Sequence, residues 1–275
     1  SDMKSGLAVM AFVLGELAES GCVPQKTIVF AGTCDEERGG LGAKEIIKEY
    51  PDLFPELLLI GEPTSCQAGV AQKGCIWLKL SVSGKTSHGA EPWQGINALE
   101  QGFGLLADLR EELKREEHPV LGRSTLQITM AEGGIAPNMT PDRAKFLADI
   151  RIVPPLNEKE VLNRLECLMQ KRCEVYNGGL AFVPEITNYR MPAETGPENQ
   201  WLHRLKGFIG DDAGETGINY FTDASILLTA WPDSPALLFG PGEPQMCHKP
   251  NEYVEISKYL EAIRVMEKFC WYIAK

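Results

Sequence analysis

The chain has 275 residues, 44% of them hydrophobic, and a formal net charge of −11. It can therefore bury a sizeable core in one or two domains, while its acidity and the lack of a basic stripe argue against nucleic acid as a partner. No apolar run is long enough to span a membrane. The eight cysteines are scattered without a CxxC pair, which is typical of reduced thiols in a cytoplasmic protein.

The first predicted element is a helix over residues 7–19, whose apolar residues recur at helical spacing. Gly21 ends this helix, and Asp2 stands just before it. An aspartate at this place is most often an N-cap. No strand precedes the helix, although an α/β sheet should pack against it. We therefore expect the chain to be an N-terminally truncated part of a longer protein.

An acidic turn follows a predicted buried strand over residues 27–33. It contains Glu36 and Glu37, and a short helix over residues 41–50 comes next. Open α/β sheets bind their ligands at the carboxyl ends of parallel strands. One glutamate there could bind a metal while the other takes a proton from an activated water. The alternative is an acidic first turn that complements the helix dipole.

A second carboxylate ends the next predicted strand, over residues 56–60. Glu62 follows this strand directly, and Pro63 keeps the backbone around it extended. Two acidic strand ends in successive units favour a shared cation site.

The middle of the chain changes character, because residues 75–83 alternate between apolar and polar side chains as in a half-buried antiparallel strand. His88 then lies in a loop rich in turn residues. The remaining predicted elements are a helix over 97–116, strands over 124–130 and 143–152, a helix over 158–171 and a strand over 180–187. The order β-α-β-β-α-β is that of a ferredoxin-like sandwich. It predicts an inserted domain over residues 73–187.

The last part is predicted to contain a strand over residues 236–239 and a helix over 256–273, with His248 between them. A lone histidine such as His248 is more often a surface or core residue than a ligand, and His88 alone would be a solvated turn residue. Together with the carboxylates, however, His248 completes the set of hard oxygen ligands, imidazole and spare base that a two-metal hydrolase requires.

Six motifs in order carry a resemblance to a known family. They are Asp-Met-Lys-Ser-Gly (2–6), Asp-Glu-Glu (35–37), Gly-Glu-Pro-Thr (61–64), Ser-His-Gly-Ala-x-Pro (87–92), Pro-Asn-Met with Asp-Ile-Arg (137–139 and 149–151), and Cys-His-Lys-Pro-Asn-Glu-Tyr (247–253). Because these motifs occur in this order along the whole chain, it resembles the M20 metallopeptidases. This family includes acetylornithine deacetylases, succinyl-diaminopimelate desuccinylases, aminoacylases and glutamate-releasing carboxypeptidases.

The resemblance implies a role for each motif. The implied metal ligands are Asp2, Glu37, Glu62 and His248, with Asp2 bridging two zinc ions. The implied catalytic residues are Glu36, as general base, and His88, as the lid histidine that stabilises the oxyanion. The implied substrate-binding residues are Asn138 and Arg151, for the substrate carboxylate, and Thr222 and Gly242, at the pocket, as a looser match.

One family motif has no counterpart in this sequence. The His-x-Asp segment of the family, which supplies an imidazole to the zinc shared with Glu62, would lie upstream of Asp2. The resemblance therefore implies one or two Zn²⁺ per chain, with Co²⁺ or Mn²⁺ as alternatives. It also leaves open a different function, that of a catalytically impaired remnant which dimerises or binds a metabolite.

The sequence thus predicts an α/β protein. Residues 1–72 and 188–275 would form an open mixed-sheet catalytic domain with helices on both faces, and residues 73–187 a ferredoxin-like lid and dimerisation domain. The resemblance implies a zinc-dependent amidohydrolase that cleaves an amide bond beside a free carboxylate in N-acyl amino acids or short peptides. A homodimer formed through the lid is expected, with no nucleic-acid or membrane partner.

Overall fold

The structure, a computed structural model, describes residues 1–211 and 213–275. Its helices are α1 (Lys4–Glu19), α2 (Leu41–Glu49), α3 (Ala98–Leu113), α4 (Glu158–Val175), α5 (Gln200–Ile209), α6 (Ala224–Ala230) and α7 (Ile256–Ala274). Its strands are β1 (Leu58–Ile60), β2 (Ala68–Gln72), β3 (Gly74–Ser83), β4 (Glu117–His118), β5 (Gly122–Arg123), β6 (Thr125–Gly133), β7 (Arg143–Ile152), β8 (Ala181–Arg190), β9 (Ala193–Glu194), β10 (Glu215–Ile218) and β11 (Ala236–Leu238). Within the described residues, no helix is both long and apolar enough to span a bilayer.

The chain forms two units. The split unit consists of Ser1–Gln72 and Ala193–Lys275, and the inserted unit of Lys73–Pro192. The inserted unit begins at the residue expected from the sequence but ends at Pro192 rather than at residue 187. The end lies later because β8 continues to Arg190 instead of stopping at Thr187.

The inserted unit is a four-stranded antiparallel sheet with the order β6-β7-β3-β8. Every second residue of β3, from Ile76 to Val82, is buried, because successive side chains of a strand point to opposite faces. Residues of α3 and α4 complete this core, among them Leu109 and Leu165. The helix starts are well defined, since Asn97 caps α3 and Asn157 forms a capping box with Glu160 in α4. This arrangement is the ferredoxin-like sandwich expected from the order of the elements.

The split unit has a mixed sheet with the order β1-β11-β2-β10, in which β9 also pairs with β2. The β1–β11 and β2–β10 pairs are parallel, while β11 and β2 are antiparallel. Helices α1 and α5 pack against α7, and α2 packs against α6. The predicted class, an open mixed α/β sheet with helices plus an inserted α+β unit, is therefore confirmed.

The predicted strand over residues 27–33 is not formed. No strand of the described chain pairs with this segment, and its apolar side chains are largely exposed, with Val29 at 61% and Phe30 at 43%. A β-branched run favours a strand only where a neighbouring strand takes its hydrogen bonds, so propensity alone does not produce one here.

Candidate metal centre

Three predicted metal ligands meet in the split unit. The ring nitrogen Nε2 of His248 lies 2.8 Å from Oε1 of Glu37 and 3.4 Å from Oδ2 of Asp2. One ligand atom from each of the three residues lies within 4.8 Å of the other two. The side chains of Glu37 and His248 are exposed, whereas that of Asp2 is mostly buried. Two carboxylates and an imidazole at these distances are a ligand set that suits a zinc ion.

Asp2 is positioned by a close contact between two stretches of backbone. It precedes α1, whose first turn contains Gly6, and Gly6 crosses directly over Gly61 in front of Glu62. A Cβ atom on Gly6 would lie 1.8 Å from the carbonyl oxygen of Gly61, so no larger residue fits. Gly240 approaches the same place from the other side, because its Cβ would lie 2.6 Å from the carbonyl oxygen of Glu62. The glycines therefore set the distance between Asp2 and Glu62.

The acidic turn is held by Asp35. Its carbonyl oxygen accepts hydrogen bonds from the backbone N–H groups of residues 38, 39 and 40, and its carboxylate accepts a further one from Gly39. Asp35 has φ +66° and Gly40, which precedes α2, has φ +62°, so the chain turns sharply at both ends of the loop. This turn carries Glu36 and Glu37 in front of the sheet.

Glu62 is the buried member of the site, with 3% of its surface exposed. Its Oε2 atom is buried and accepts no hydrogen bond within the described part of the chain. Burial, together with the negative charges of Asp2 and Glu36, raises the pKa of Glu62 to about 9. A carboxyl oxygen buried without a partner is costly unless a proton or a cation neutralises the group.

The neighbouring groups show the same excess of negative charge. Burial and the charge of Glu37 raise the pKa of Asp2, while the hydrogen bond to Glu37 raises the pKa of His248. A divalent cation would relieve this repulsion, and the oxygen and imidazole donors are of the kind that Zn²⁺ and Mn²⁺ accept. The residues present therefore fit a metal ion. Glu62 lies outside the three-ligand group.

Two residues of the site were not recognised in the sequence. The thiol of Cys247 is hydrogen-bonded to Asp2, and the hydroxyl oxygen of Tyr220 lies 3.7 Å from the Cys247 sulfur atom. The position of Cys247 beside His248 in the last motif was a signal for it, whereas nothing in the sequence indicated Tyr220.

The predicted pocket residues Thr222 and Gly242 have local structural tasks. Thr222 is buried, and its hydroxyl group donates to Gln72 and accepts from the backbone N–H of Ala224 at the start of α6. Gly242 packs against Pro63, since an added Cβ would lie 3.0 Å from the Pro63 side chain. The hydroxyl group of Thr222 thus forms its hydrogen bonds within the protein, while Gly242 lies beside Pro63, the residue that follows Glu62.

His88 and Asn138 lie together in the inserted unit. The carbonyl oxygen of Asn138 accepts a hydrogen bond from Gly89 at 2.8 Å, and both His88 and Asn138 are exposed. Nδ1 of His88 accepts a hydrogen bond from the backbone N–H of Ala90 at 3.1 Å. Because an accepting Nδ1 carries no proton, the neutral ring carries its proton on Nε2. His88 therefore presents an N–H donor.

Arg151 lies at the other end of the same unit. It stands near the end of β7 and forms a two-point ion pair with Asp149, at 2.7 and 3.0 Å. Asn138 precedes Arg143, the first residue of β7, and at about 3.4 Å per residue Arg143 and Arg151 are roughly 27 Å apart. One chain therefore cannot bring Asn138 and Arg151 to the same carboxylate, contrary to the simplest interpretation of the sequence.

Comparison with known families and proteins identifies relatives for both units. Residues 70–177 match the peptidase dimerisation domain of the M20 type. The chain is 29% identical to the acetylornithine deacetylase of Shigella sonnei over 287 aligned positions, which cover 99% of this chain and 71% of that protein.

Solved structures share the fold. Aminopeptidase PepT of Bacillus cereus superposes with a TM-score of 0.79 at 20% identity, covering 99% of this chain and 71% of that one. An M20 family metallo-carboxypeptidase from Sulfolobus solfataricus gives a TM-score of 0.64 at 16% identity, covering 98% of this chain and 75% of that one. The relatives named are thus a deacetylase and peptidases, which hydrolyse amide bonds.

Proposed function

We propose that this chain belongs to the M20 metallopeptidase family, which its matches to the peptidase dimerisation domain and to an acetylornithine deacetylase support, and that it is a metal-dependent hydrolase of an amide bond beside a free carboxylate. Its substrates would be N-acyl amino acids or short peptides. The observation that carries the proposal is the convergence of Asp2, Glu37 and His248 beside Glu62, which has a buried carboxyl oxygen with no hydrogen bond from any described residue. The free thiols of the described cysteines agree with a cytoplasmic location.

The metal ligands would divide into two sets. Asp2, Glu37 and His248 would hold one ion, and Asp2 with Glu62 would contribute to a second. A bound Zn²⁺, Co²⁺ or Mn²⁺ supplies Lewis acidity, which polarises the substrate carbonyl group and makes water acidic. The three-ligand set has the imidazole, so we expect it to bind its ion more tightly.

Glu36 would act as the general base. It neighbours the ligand Glu37 in sequence, and its charge acts on the buried Glu62, so it lies at the cluster. In this role Glu36 takes a proton from the attacking water as the C–O bond forms. It then returns the proton to the leaving amine nitrogen as the C–N bond breaks.

The inserted unit would supply the polar groups around the substrate. The Nε2–H of His88 would donate to the oxyanion of the tetrahedral intermediate. Arg151 would bind the substrate carboxylate, a task that suits a guanidinium group. Since Asn138 and His88 lie far from Arg151 within one chain, we propose that the two ends act in different active sites of a homodimer.

The test of the reaction uses the chain with added zinc and a pair of substrates. An N-acetyl amino acid and its primary amide differ only at the carboxylate, and release of free amine reports cleavage. We expect the acid to be cleaved and the amide to be cleaved at least tenfold more slowly, with all activity removed by a chelator and restored by zinc. His248→Ala should lose the tighter ion, whereas the exposed control His203→Ala should retain it.

Cleavage of the acid and the amide at equal rates would contradict recognition of the carboxylate. A folded, zinc-binding dimer that releases no amine from any N-acyl amino acid or short peptide would overturn the proposed reaction. It would favour the alternative of a binding protein.

Mixed dimers test the assignment of His88 to the active site of the partner subunit. His88→Ala and Glu36→Gln chains, each inactive alone, would form mixed dimers in which one site has both groups intact. With random pairing half the dimers are mixed, so roughly a quarter of the wild-type activity should return. No return of activity, despite demonstrated subunit exchange, would mean that His88 acts in its own subunit or not at all.

A further inference from the structure

Asp149 makes three side-chain hydrogen bonds on the face of the inserted sheet opposite its helices. Its Oδ1 atom accepts from Nε of Arg151 at 2.7 Å, and its Oδ2 atom accepts from Nη2 at 3.0 Å. The same Oδ2 atom accepts from the indole Nε1–H of Trp77 at 3.1 Å. Trp77 lies directly across from Asp149 on the neighbouring strand β3, so the three side chains share one face.

These contacts fix the plane of the guanidinium group. A two-point pair between arginine and carboxylate allows little rotation about the last side-chain bonds, because both N–H···O bonds must stay aligned. The pair uses the Nε and Nη2 edge of Arg151, so Nη1 takes no part in it. The indole N–H in turn restricts Asp149, whose carboxylate could otherwise rotate with the arginine.

We propose that Asp149 is a positioning residue, which holds the guanidinium group of Arg151 in the orientation that receives the substrate carboxylate, and that Trp77 anchors Asp149 for this task. The inference rests on the proposed function, in which Arg151 binds that carboxylate. It adds two residues, neither of which touches the substrate, that determine the selectivity for carboxylate substrates.

Positioning and simple electrostatics make opposite predictions for Asp149. As a negative charge beside Arg151, Asp149 weakens the attraction between Arg151 and another carboxylate, so its neutralisation should tighten carboxylate binding. As a positioning residue, Asp149 keeps the donors aligned, so its loss should weaken carboxylate binding. The Asp149→Asn variant distinguishes the two, because it removes the charge and one acceptor at nearly constant volume.

The experiment measures binding of an N-acetyl amino acid and of its primary amide by calorimetry. The zinc-supplemented protein carries Glu36→Gln, so that the ligand is not hydrolysed. In this background we expect Asp149→Asn to weaken binding of the acid about tenfold and to leave binding of the amide nearly unchanged. Trp77→Phe keeps an aromatic ring and removes the N–H, so we expect a loss of about threefold for the acid alone.

A matched control residue, Glu185, lies on the same face of the inserted sheet as Asp149. Glu185 forms an ion pair with Lys79 at 2.8 Å, and Glu185→Gln removes a carboxylate without touching Arg151. It should leave the affinities for both ligands unchanged. Rescue should follow with Asp149→Glu, which restores the charge-assisted acceptors and should recover part of the preference for the acid.

The outcomes separate the inference from the proposed function. If the background protein binds acid and amide equally, the proposed function and this inference both fail. If it prefers the acid and Asp149→Asn preserves or increases that preference, only the inference is overturned. An equal loss of affinity for both ligands would indicate a purely structural role for Asp149, which also overturns it.

Discussion

The two units of this chain differ in how their structure follows from sequence. In the inserted unit, three of the four sheet strands have ten residues, and two capped helices cover one face of the sheet. The split unit has sheet strands of two to five residues. Its candidate site depends on glycine contacts and on residues with positive φ, among them Asp35 and His248.

The difference shows where the chemistry is located. The inserted unit is stabilised by many equivalent contacts and can present loops at either end of its sheet. The split unit has short strands whose ends converge, because a metal ligand set needs several chain segments at one point. We therefore expect substitutions to affect stability mainly in the inserted unit and chemistry mainly in the split unit.

The largest expected effect tests the chemistry of the split unit. Glu36→Gln should lower the turnover number by about 10²–10⁴-fold, because it removes the base, while metal content stays the same. Its neighbour provides the matched variant, since Glu37→Gln should lose the metal. Elemental analysis after dialysis, together with turnover measurements, checks both. Loss of metal in Glu36→Gln with retention in Glu37→Gln would mean that the two roles are reversed.

A second prediction compares a buried residue of the inserted unit with an exposed residue of the split unit. Leu109 is fully buried in the inserted unit, so Leu109→Ala should lower the free energy of unfolding by about 2–5 kcal/mol. Phe54 in the split unit is 80% exposed, and Phe54→Ala should change the free energy of unfolding by less than about 0.5 kcal/mol. Urea denaturation measures both. A larger loss from Phe54→Ala would contradict its exposure.

A third prediction uses two glycines of the same helix, α1. Gly6→Ala would place a Cβ atom 1.8 Å from the Gly61 carbonyl oxygen, so it should cost about 1–3 kcal/mol of stability and weaken metal binding. Beyond its chain neighbours and the adjacent backbone of α1, a Cβ atom on Gly15 would meet no atom of the described residues within 4 Å, so Gly15→Ala should stabilise the protein by about 0.5–1 kcal/mol through helix propensity. Thermal denaturation and zinc titration separate the two variants. Unchanged zinc affinity in Gly6→Ala would show that the contact does not position Asp2.

The smallest expected effect depends on pH. The hydrogen bond from Arg164 lowers the pKa of Glu116 in the inserted unit. A carboxyl group whose pKa is lowered by folding stabilises the fold above its unfolded pKa of about 4.3, and this contribution is lost as the pH falls through the folded pKa. Glu116→Gln should therefore cost about 0.2–1 kcal/mol at neutral pH and almost nothing at strongly acidic pH. An equal cost at both values would exclude the ion pair as its source.

Periodicity predicted the inserted unit well because its strands alternate and its helices have caps. The strand over residues 75–83 and the helix beginning after Asn97 were found within a few residues of their observed bounds. The elements of the split unit were harder to predict from sequence. Strand β2 is buried at every residue and so shows no alternation, and helix α6 has only seven residues, too few for a helical pattern.

The sequence predicted some residues of the candidate site but not the distances between them. The sequence motifs named Asp2, Glu37 and His248, which the structure brings together. Sequence spacing could not show that Asn138 and Arg151 lie at opposite ends of one sheet, since a long extended strand places residues that are close in sequence far apart. Nor could it reveal the thiol of Cys247 on Asp2, which depends on two segments that meet only in the folded chain.

The close backbone packing at Gly6, Gly61 and Gly240 limits how the sequence of this protein can change in evolution. The spacing of Asp2 and Glu62 is set there by the thickness of the main chain rather than by the shapes of side chains. Apolar residues elsewhere in the split unit can therefore be exchanged over generations while the two carboxylates keep their separation. Variation should be least at these three positions, although none of them bears a functional group.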